Sequence, residues 1–222
     1  MLLSFVRVIG LFALLNLIFI GFATTSQAAP AHQVSATYTY ETQWAKCQYQ
    51  VTEKKQQAGC FSALITQLRE AAKKAPDNPN INTLLAINIA SLAGVSGVTK
   101  ALGLIKEAKG ILEEVIKKHP HAMHGAPYVT LGALYYRAPG WPISFGNDDK
   151  AKTLLEEGLK LNPYNSTTNY FYADFLAEQG EKQQAIIVLK KTLTYPSDPD
   201  YPVTNAGRKK DIETLLNKLQ GH

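Results

Sequence analysis

Two thirteen-residue stretches decide the fold: Ala108–Pro120 reads AKGILEEVIKKHP and Ala151–Pro163 reads AKTLLEEGLKLNP. They are identical at seven of thirteen aligned positions and start 43 residues apart. Each keeps apolar residues at helical spacing and stops at a proline, which cannot continue a helix. Looser copies end at Pro76 and Pro196. Repetition at a period of a few tens of residues predicts stacked helical units, each burying its apolar face against a neighbour, and such stacks generally present binding surfaces.

The rest of the chain divides into helical pairs in the same way. The period-two alternation of a β-strand occurs in no segment, so the sequence predicts an all-α protein. We expect an extended lead-in over residues 29–42 and a helical domain over residues 43–222. The predicted hairpins cover residues 44–75 (with a turn at 56–59), 80–118, 124–161 and 168–194, and a capping helix covers 206–219.

The first 28 residues have the pattern of a cleaved signal peptide. Arg7 supplies a positive charge, and the apolar run Val8–Ala23 is shorter than the roughly 20 residues that span a bilayer. Small residues predict cleavage between Ala28 and Ala29, and an uncleaved N-terminal anchor is the alternative. We therefore expect an exported protein, periplasmic in a Gram-negative source, with no membrane span after signal removal.

Charge and composition exclude one class of partner. The formal net charge is +5, but acidic and basic residues are interleaved along the helices, as on solvated helix faces. The longest run of Lys or Arg is three residues, at 208–210, so nucleic acid is not an expected partner.

Cys47 and Cys60 are the only cysteines. Export to an oxidising compartment favours a disulfide between them. The predicted turn at 56–59 opposes it, because regular helix before that turn would place Cys47 about two turns from the bend, beyond the roughly 7 Å limit for bridged Cα atoms. Either the segment before Val51 is not regular helix or both thiols are free, and the sequence leaves the two possibilities open.

The third and fourth hairpins resemble the 34-residue tetratricopeptide repeat (TPR). Consensus-like positions in the fourth hairpin are Tyr172, Ala173, Leu176, Gly180, Ala185, Leu189 and Pro196. Those in the third hairpin, once seven extra loop residues are allowed, are Leu131, Gly132, Tyr135, Ala151, Leu155 and Pro163. The resemblance implies a right-handed solenoid of TPR-like hairpins with a C-terminal capping helix. It also implies a concave groove lined by Val129, Ala133, Tyr136, Arg137, Tyr170 and Asp174, which could hold an extended peptide or a small acidic ligand.

The long loops inside the hairpins, with Gly146, Asp148, Lys150 and Ala151 at the start of one helix, resemble the T-component family of TRAP transporters. That resemblance implies a periplasmic protein that assists solute uptake by docking on a solute-binding protein. Family members often carry a lipid-attachment cysteine, which this sequence lacks near the cleavage point. The expected function is therefore a non-catalytic adaptor that presents its groove to a protein partner, and the oligomeric state is left open.

The loop 138–147 (APGWPISFGN) departs most from the repeat. Trp141 and Phe145 are its candidate anchors. One interpretation makes the loop a lid over the groove, which would suit a small-ligand carrier; the preferred one packs both rings into a gap between hairpins.

No catalytic or cofactor motif appears in the sequence. His119, His121 and His124 lie close together, but nothing nominates the further ligands that a metal site needs. We therefore predict no enzyme, no cofactor and no metal site.

Overall fold

The computed structural model describes residues 36–221. The predicted signal peptide 1–28, the cleavage point between Ala28 and Ala29, and residues 29–35 of the predicted lead-in lie outside this range. Within it, no helix is long and apolar enough to span a membrane.

The described residues form helices joined by short connections, with no β-strand among them, so the all-α prediction is confirmed. A 3₁₀ turn, Ala122–Gly125, precedes the fifth helix. The α-helices are α1 (Ala36–Tyr49), α2 (Lys54–Lys74), α3 (Pro79–Gly94), α4 (Val98–Lys118), α5 (Ala126–Arg137), α6 (Asp148–Leu161), α7 (Ser166–Glu178), α8 (Lys182–Thr192) and α9 (Pro202–Gln220). Consecutive helices pair into four hairpins, and α9 packs on the last of them.

The prediction for the lead-in and the first hairpin is wrong in two respects. Residues 36–42 belong to α1 rather than to an extended lead-in, because Tyr40 and Trp44 pack against the core and the Trp44 indole donates a hydrogen bond to Ser91 of α3 (2.9 Å). The turn lies at residues 50–53, not 56–59. Gly59 sits inside α2, where an added Cβ would contact nothing within 4 Å, so this glycine is no turn signal.

The shifted turn brings the two cysteines together. Cys47 lies near the end of α1 and Cys60 lies in the second turn of α2, so both are close to the bend. They form a disulfide with a Cα–Cα distance of 5.6 Å. The Gln57 amide donates to the carbonyls of Cys47 and Gln48 (3.0 and 3.1 Å), which satisfies acceptors at the end of α1.

A recurring asparagine begins the next hairpin after a proline. Asn78 and Asn165 each lie two residues after a proline, and each side chain accepts hydrogen bonds from two backbone N–H groups at the start of α3 or α7. The corresponding position after Pro120 is Ala122, which cannot cap a helix. There the chain uses left-handed backbone at Met123, His124 and Gly125 before α5 begins.

The two near-identical stretches bury equivalent residues. Ala108 and Leu112 of α4, and Ala151 and Leu155 of α6, are all fully buried. Removing a leucine side chain of this kind from water contributes about 2 kcal/mol to stability. The main hydrophobic cluster runs from α1 to α7, and a second one joins α7, α8 and α9.

Candidate functional site

The first helix of each hairpin (α1, α3, α5 and α7), which we call its inner helix, lies in a row that α9 closes into a ring. Helices α3, α5 and α7 each pack against the inner helix before and after them, and α9 packs against both α7 and α1. The first and last helices of the described chain therefore meet. Helix α9 therefore fills the space between α1 and α7, which would be open if the hairpins formed a simple row.

Aromatic and polar groups hold α9 against α1. Gly207 of α9 faces the Tyr49 ring so closely that an added Cβ would overlap ring carbons. The Tyr49 hydroxyl donates to Asp211 (3.2 Å), and the Tyr201 hydroxyl donates to Glu41 (2.7 Å). Burial is the largest cause that raises the pKa of Tyr49 and of Tyr201 above the ordinary 10.0, so both remain protonated donors at neutral pH.

Two of the six predicted groove residues are not on a groove surface. Val129 and Ala133 are 3% and 7% exposed, which corrects their assignment as ligand contacts. Val129 packs against Gly158 of α6, where a Cβ would lie 2.5 Å from the valine methyl. Val129 thus joins α5 to α6, and both residues are too buried to contact a partner.

The other predicted groove residues come together on α5 and α7. Asp174 accepts hydrogen bonds from the Tyr136 hydroxyl and from the Arg137 guanidinium, both at 2.6 Å. The guanidinium also lies over the Tyr136 and Phe171 rings, 5.3 and 5.2 Å from their centroids. Burial raises the pKa of Tyr136, with Asp174 adding to the rise. Asp174 and Tyr136 are therefore bonded to each other, whereas the half-exposed Arg137 keeps guanidinium N–H donors beyond the one that Asp174 accepts.

A buried arginine that the sequence analysis missed completes this cluster. Arg208 of α9 is 4% exposed and donates to Asp211 (3.0 Å) and to the Thr167 hydroxyl (3.3 Å). Its guanidinium lies 4.5 Å from the Tyr170 ring centroid and 5.1 Å from that of Phe171. The spacing of Arg208 and Asp211 on one helix was visible in the sequence, but the α7 rings beneath them were not.

A cleft of about 530 Å³ opens where α1, α7 and α9 meet, and we call it the α1–α9 cleft. Several of its polar side chains have no hydrogen-bond or ion-pair partner among residues 36–221. They are Gln48 and Thr52 on one wall, the Tyr170 hydroxyl, and Lys210 and Lys218 on α9. The cleft therefore offers hydrogen-bonding groups that the protein itself does not use.

The loop 138–147 does not cover this cleft, because no residue of the loop lines it. The loop is closed on itself: Gly146 donates to the Pro139 carbonyl (2.9 Å), and an added Cβ on Gly146 would overlap the Ala138 carbonyl oxygen. Phe145 packs edge-on against Tyr135, with ring centroids 5.3 Å apart. The loop is therefore no lid over the α1–α9 cleft, and Phe145 packs as the preferred interpretation expects.

Trp141 behaves differently from Phe145. It lies at the loop tip and is 89% exposed, and Ile143 beside it is 62% exposed. The preferred interpretation, in which both aromatic rings fill a gap between hairpins, is therefore wrong for Trp141.

This difference predicts a small stability effect for one aromatic residue of the loop and a large one for the other. Trp141→Ala should change the free energy of unfolding by no more than about 0.5 kcal/mol, as is usual at exposed positions. Phe145→Ala should lower it by about 2 kcal/mol, because the ring packs against Tyr135 without being fully buried. Urea unfolding of both variants measures the two values, and a large loss for Trp141→Ala would contradict the exposed position.

The histidines do not assemble with other metal-binding side chains. In the described range, no group of three or more His, Cys, Asp or Glu residues is arranged to hold a metal ion. His119, His121 and His124 lie in the connection between α4 and α5, which includes the left-handed turn.

Comparison with known proteins supports the fold. No protein-family model and no curated protein matches the chain. Among solved structures, TTC0263, a thermophilic TPR protein of Thermus thermophilus, is 20% identical with a TM-score of 0.51, covering 73% of this chain and 83% of that one. MamA is 18% identical with a TM-score of 0.41, covering 76% of this chain and 91% of that one. The chain is thus an all-α protein of TPR-like fold, and at this level of identity the similarity concerns the fold alone.

Proposed function

We propose that this chain is an exported, non-catalytic adaptor that binds a segment of a partner protein in the α1–α9 cleft. The observation that carries the proposal is the set of polar groups without partners along the cleft walls. Polar groups that have no partner within the protein are free to bond a ligand, and TPR-like stacks present most of these groups on rigid helices. Most of the α5–α7 cluster lies behind the cleft, and its Asp174, already bonded to Tyr136 and Arg137, reaches the cleft lining.

Two features support export. The N-terminal sequence has the pattern of a signal peptide, and helices α1 and α2 are joined by a disulfide, a bond typical of oxidising compartments. In a Gram-negative source the protein would act in the periplasm. The resemblance to TRAP T-components extends the proposal to solute uptake, with a solute-binding protein as the partner.

The adaptor is preferred over the small-ligand carrier for a geometric reason. A volume of about 530 Å³ would fit a small ligand, but the carrier interpretation relied on the 138–147 loop as a lid, and the cleft is open to solvent without it. An open, polar cleft suits a chain segment that enters and leaves along its length. An enzyme would need reacting groups that the sequence motifs do not nominate.

A pair of tryptophan substitutions on α9 tests the adaptor proposal. Thr214 lies in the cleft lining between the two lysines, whereas exposed Asn217 lies outside the lining. The wild-type protein, crosslinked in the periplasm of its host, should yield a stoichiometric protein partner and an N-terminus at Ala29. Thr214→Trp should lose that partner by blocking the cleft, and Asn217→Trp should keep it.

The outcomes separate the alternatives. Equal partner recovery with both variants would reject the cleft as the binding site. A small molecule that stays bound through dialysis in native mass spectrometry, and that Thr214→Trp displaces, would favour the carrier instead.

A further inference from the structure

We infer that the α1–α9 cleft binds an extended acidic segment, whose carboxylates pair with Lys210 and Lys218. The inference rests on the proposed function, since it names the chemistry of the partner at the same cleft. It follows from the charges in the cleft, the spacing of the two lysines, and the groups on the opposite wall.

The acidic residues of the cleft are already neutralised. Asp174 accepts from Arg137 and Tyr136, and Asp211 accepts from Arg208 and Tyr49. The negative charge of each carboxylate is therefore already compensated by an arginine guanidinium and a tyrosine hydroxyl of the protein. A ligand in the cleft meets an excess of positive charge instead of a balanced surface.

That positive charge belongs to Lys210 and Lys218. Both are exposed, line the cleft, and have no carboxylate within ion-pair distance among residues 36–221. Other α9 residues are paired: Lys209 lies 3.9 Å from Glu213. The lysines of the cleft are thus the ammonium groups of this helix that are free to bind carboxylates.

The spacing of the lysines selects an extended ligand. Lys218 follows Lys210 by eight positions on the helix, which places their Cα atoms about 12 Å apart along α9. An extended chain advances about 3.3 Å per residue and points side chains four residues apart to the same face, so carboxylates at that spacing match the span. A short dicarboxylic acid is smaller than this distance and would pair well with only one lysine.

The opposite wall suits the backbone of such a segment. Gln48, Thr52 and the Tyr170 hydroxyl have unused donors and acceptors that can bond peptide N–H and C=O groups. The disulfide and the two Gln57 hydrogen bonds fix the end of α1, so this wall is held in place before the ligand arrives. The wall with Gln48 and Thr52 therefore bonds the backbone of the segment, and the wall formed by α9 pairs with its carboxylates.

A random dodecapeptide library, displayed on phage and selected against the wild-type protein, tests this inference. Selected peptides should be enriched in Asp or Glu pairs four positions apart. A synthetic peptide of the enriched sequence should bind about tenfold more weakly to Lys210→Gln/Lys218→Gln, and its affinity for the wild type should fall as salt concentration rises. Lys190→Gln/Lys191→Gln removes two exposed charges from α8, outside the cleft lining, and should bind like the wild type.

Each outcome has a distinct meaning. If the selected peptides were neutral or basic, and Thr214→Trp abolished their binding, the acidic segment would be overturned and the adaptor proposal would remain intact. If Thr214→Trp left peptide binding unchanged, the cleft would not be the binding site, and both proposals would be overturned. Displacement of the acidic peptide by an equal concentration of glutarate would assign the cleft to a small acid and overturn the extended segment.

Discussion

Loss of the Cys47–Cys60 disulfide is expected to lower the free energy of unfolding by about 3 kcal/mol. The bond closes a short loop, with a sequence separation of 13, and a loop of this size restricts the unfolded chain by about that amount. For a domain of this length, the loss corresponds to a melting temperature lower by roughly 6–12 °C. Thermal unfolding of Cys47→Ala/Cys60→Ala beside the oxidised wild type measures it.

Reductant provides the matched control. The wild type in dithiothreitol should approach the double variant in melting temperature, and the variant itself should not respond to reductant. If reduction left the wild-type melting temperature unchanged, the bond would contribute nothing to stability. Peptide affinity should fall together with stability, because the loop between the cysteines supplies Gln48 and Thr52 to the α1–α9 cleft.

The fold was predictable because its signals are local. The two copies that end at Pro120 and Pro163 place buried residues at equivalent positions, and a helical period is readable within a single segment. The first hairpin was mispredicted for a local reason as well. Gly59 resembles a turn signal, yet an exposed glycine inside a helix costs only about 1 kcal/mol, which the helix-forming residues around it can offset.

The site was less predictable because it depends on contacts distant in sequence. Gln48 and Lys210 line the same cleft, although 162 positions separate them. They meet only because α9 packs against α1, and no periodic pattern encodes that contact. The TPR pattern nominated Val129 as a ligand contact, but the residue is buried because Gly158 leaves space for it where α4 has Val115.

Gly207→Ala is expected to separate α1 from α9 and to lower the free energy of unfolding by about 2 kcal/mol, within the range for overpacked sites. The added methyl would overlap the Tyr49 ring. That ring has little freedom to move, since its hydroxyl bonds Asp211 and its edge packs against Trp44 at 5.9 Å between centroids. Alanine has the higher helix propensity, so a net loss of stability would show that packing at this contact outweighs propensity.

The same substitution at Gly103 is the control, because an added Cβ there meets nothing within 4 Å and the helix should gain about 0.5–1 kcal/mol. Hydrogen exchange then locates the damage caused by Gly207→Ala. Amides of α1 should exchange faster, while those of α7 and α8 should keep their protection, since Leu176, Leu189 and Ile212 form a separate cluster. If Gly207→Ala stabilised the protein as Gly103→Ala does, α9 would not be packed against α1 in solution, and the α1–α9 cleft would lose one of its walls.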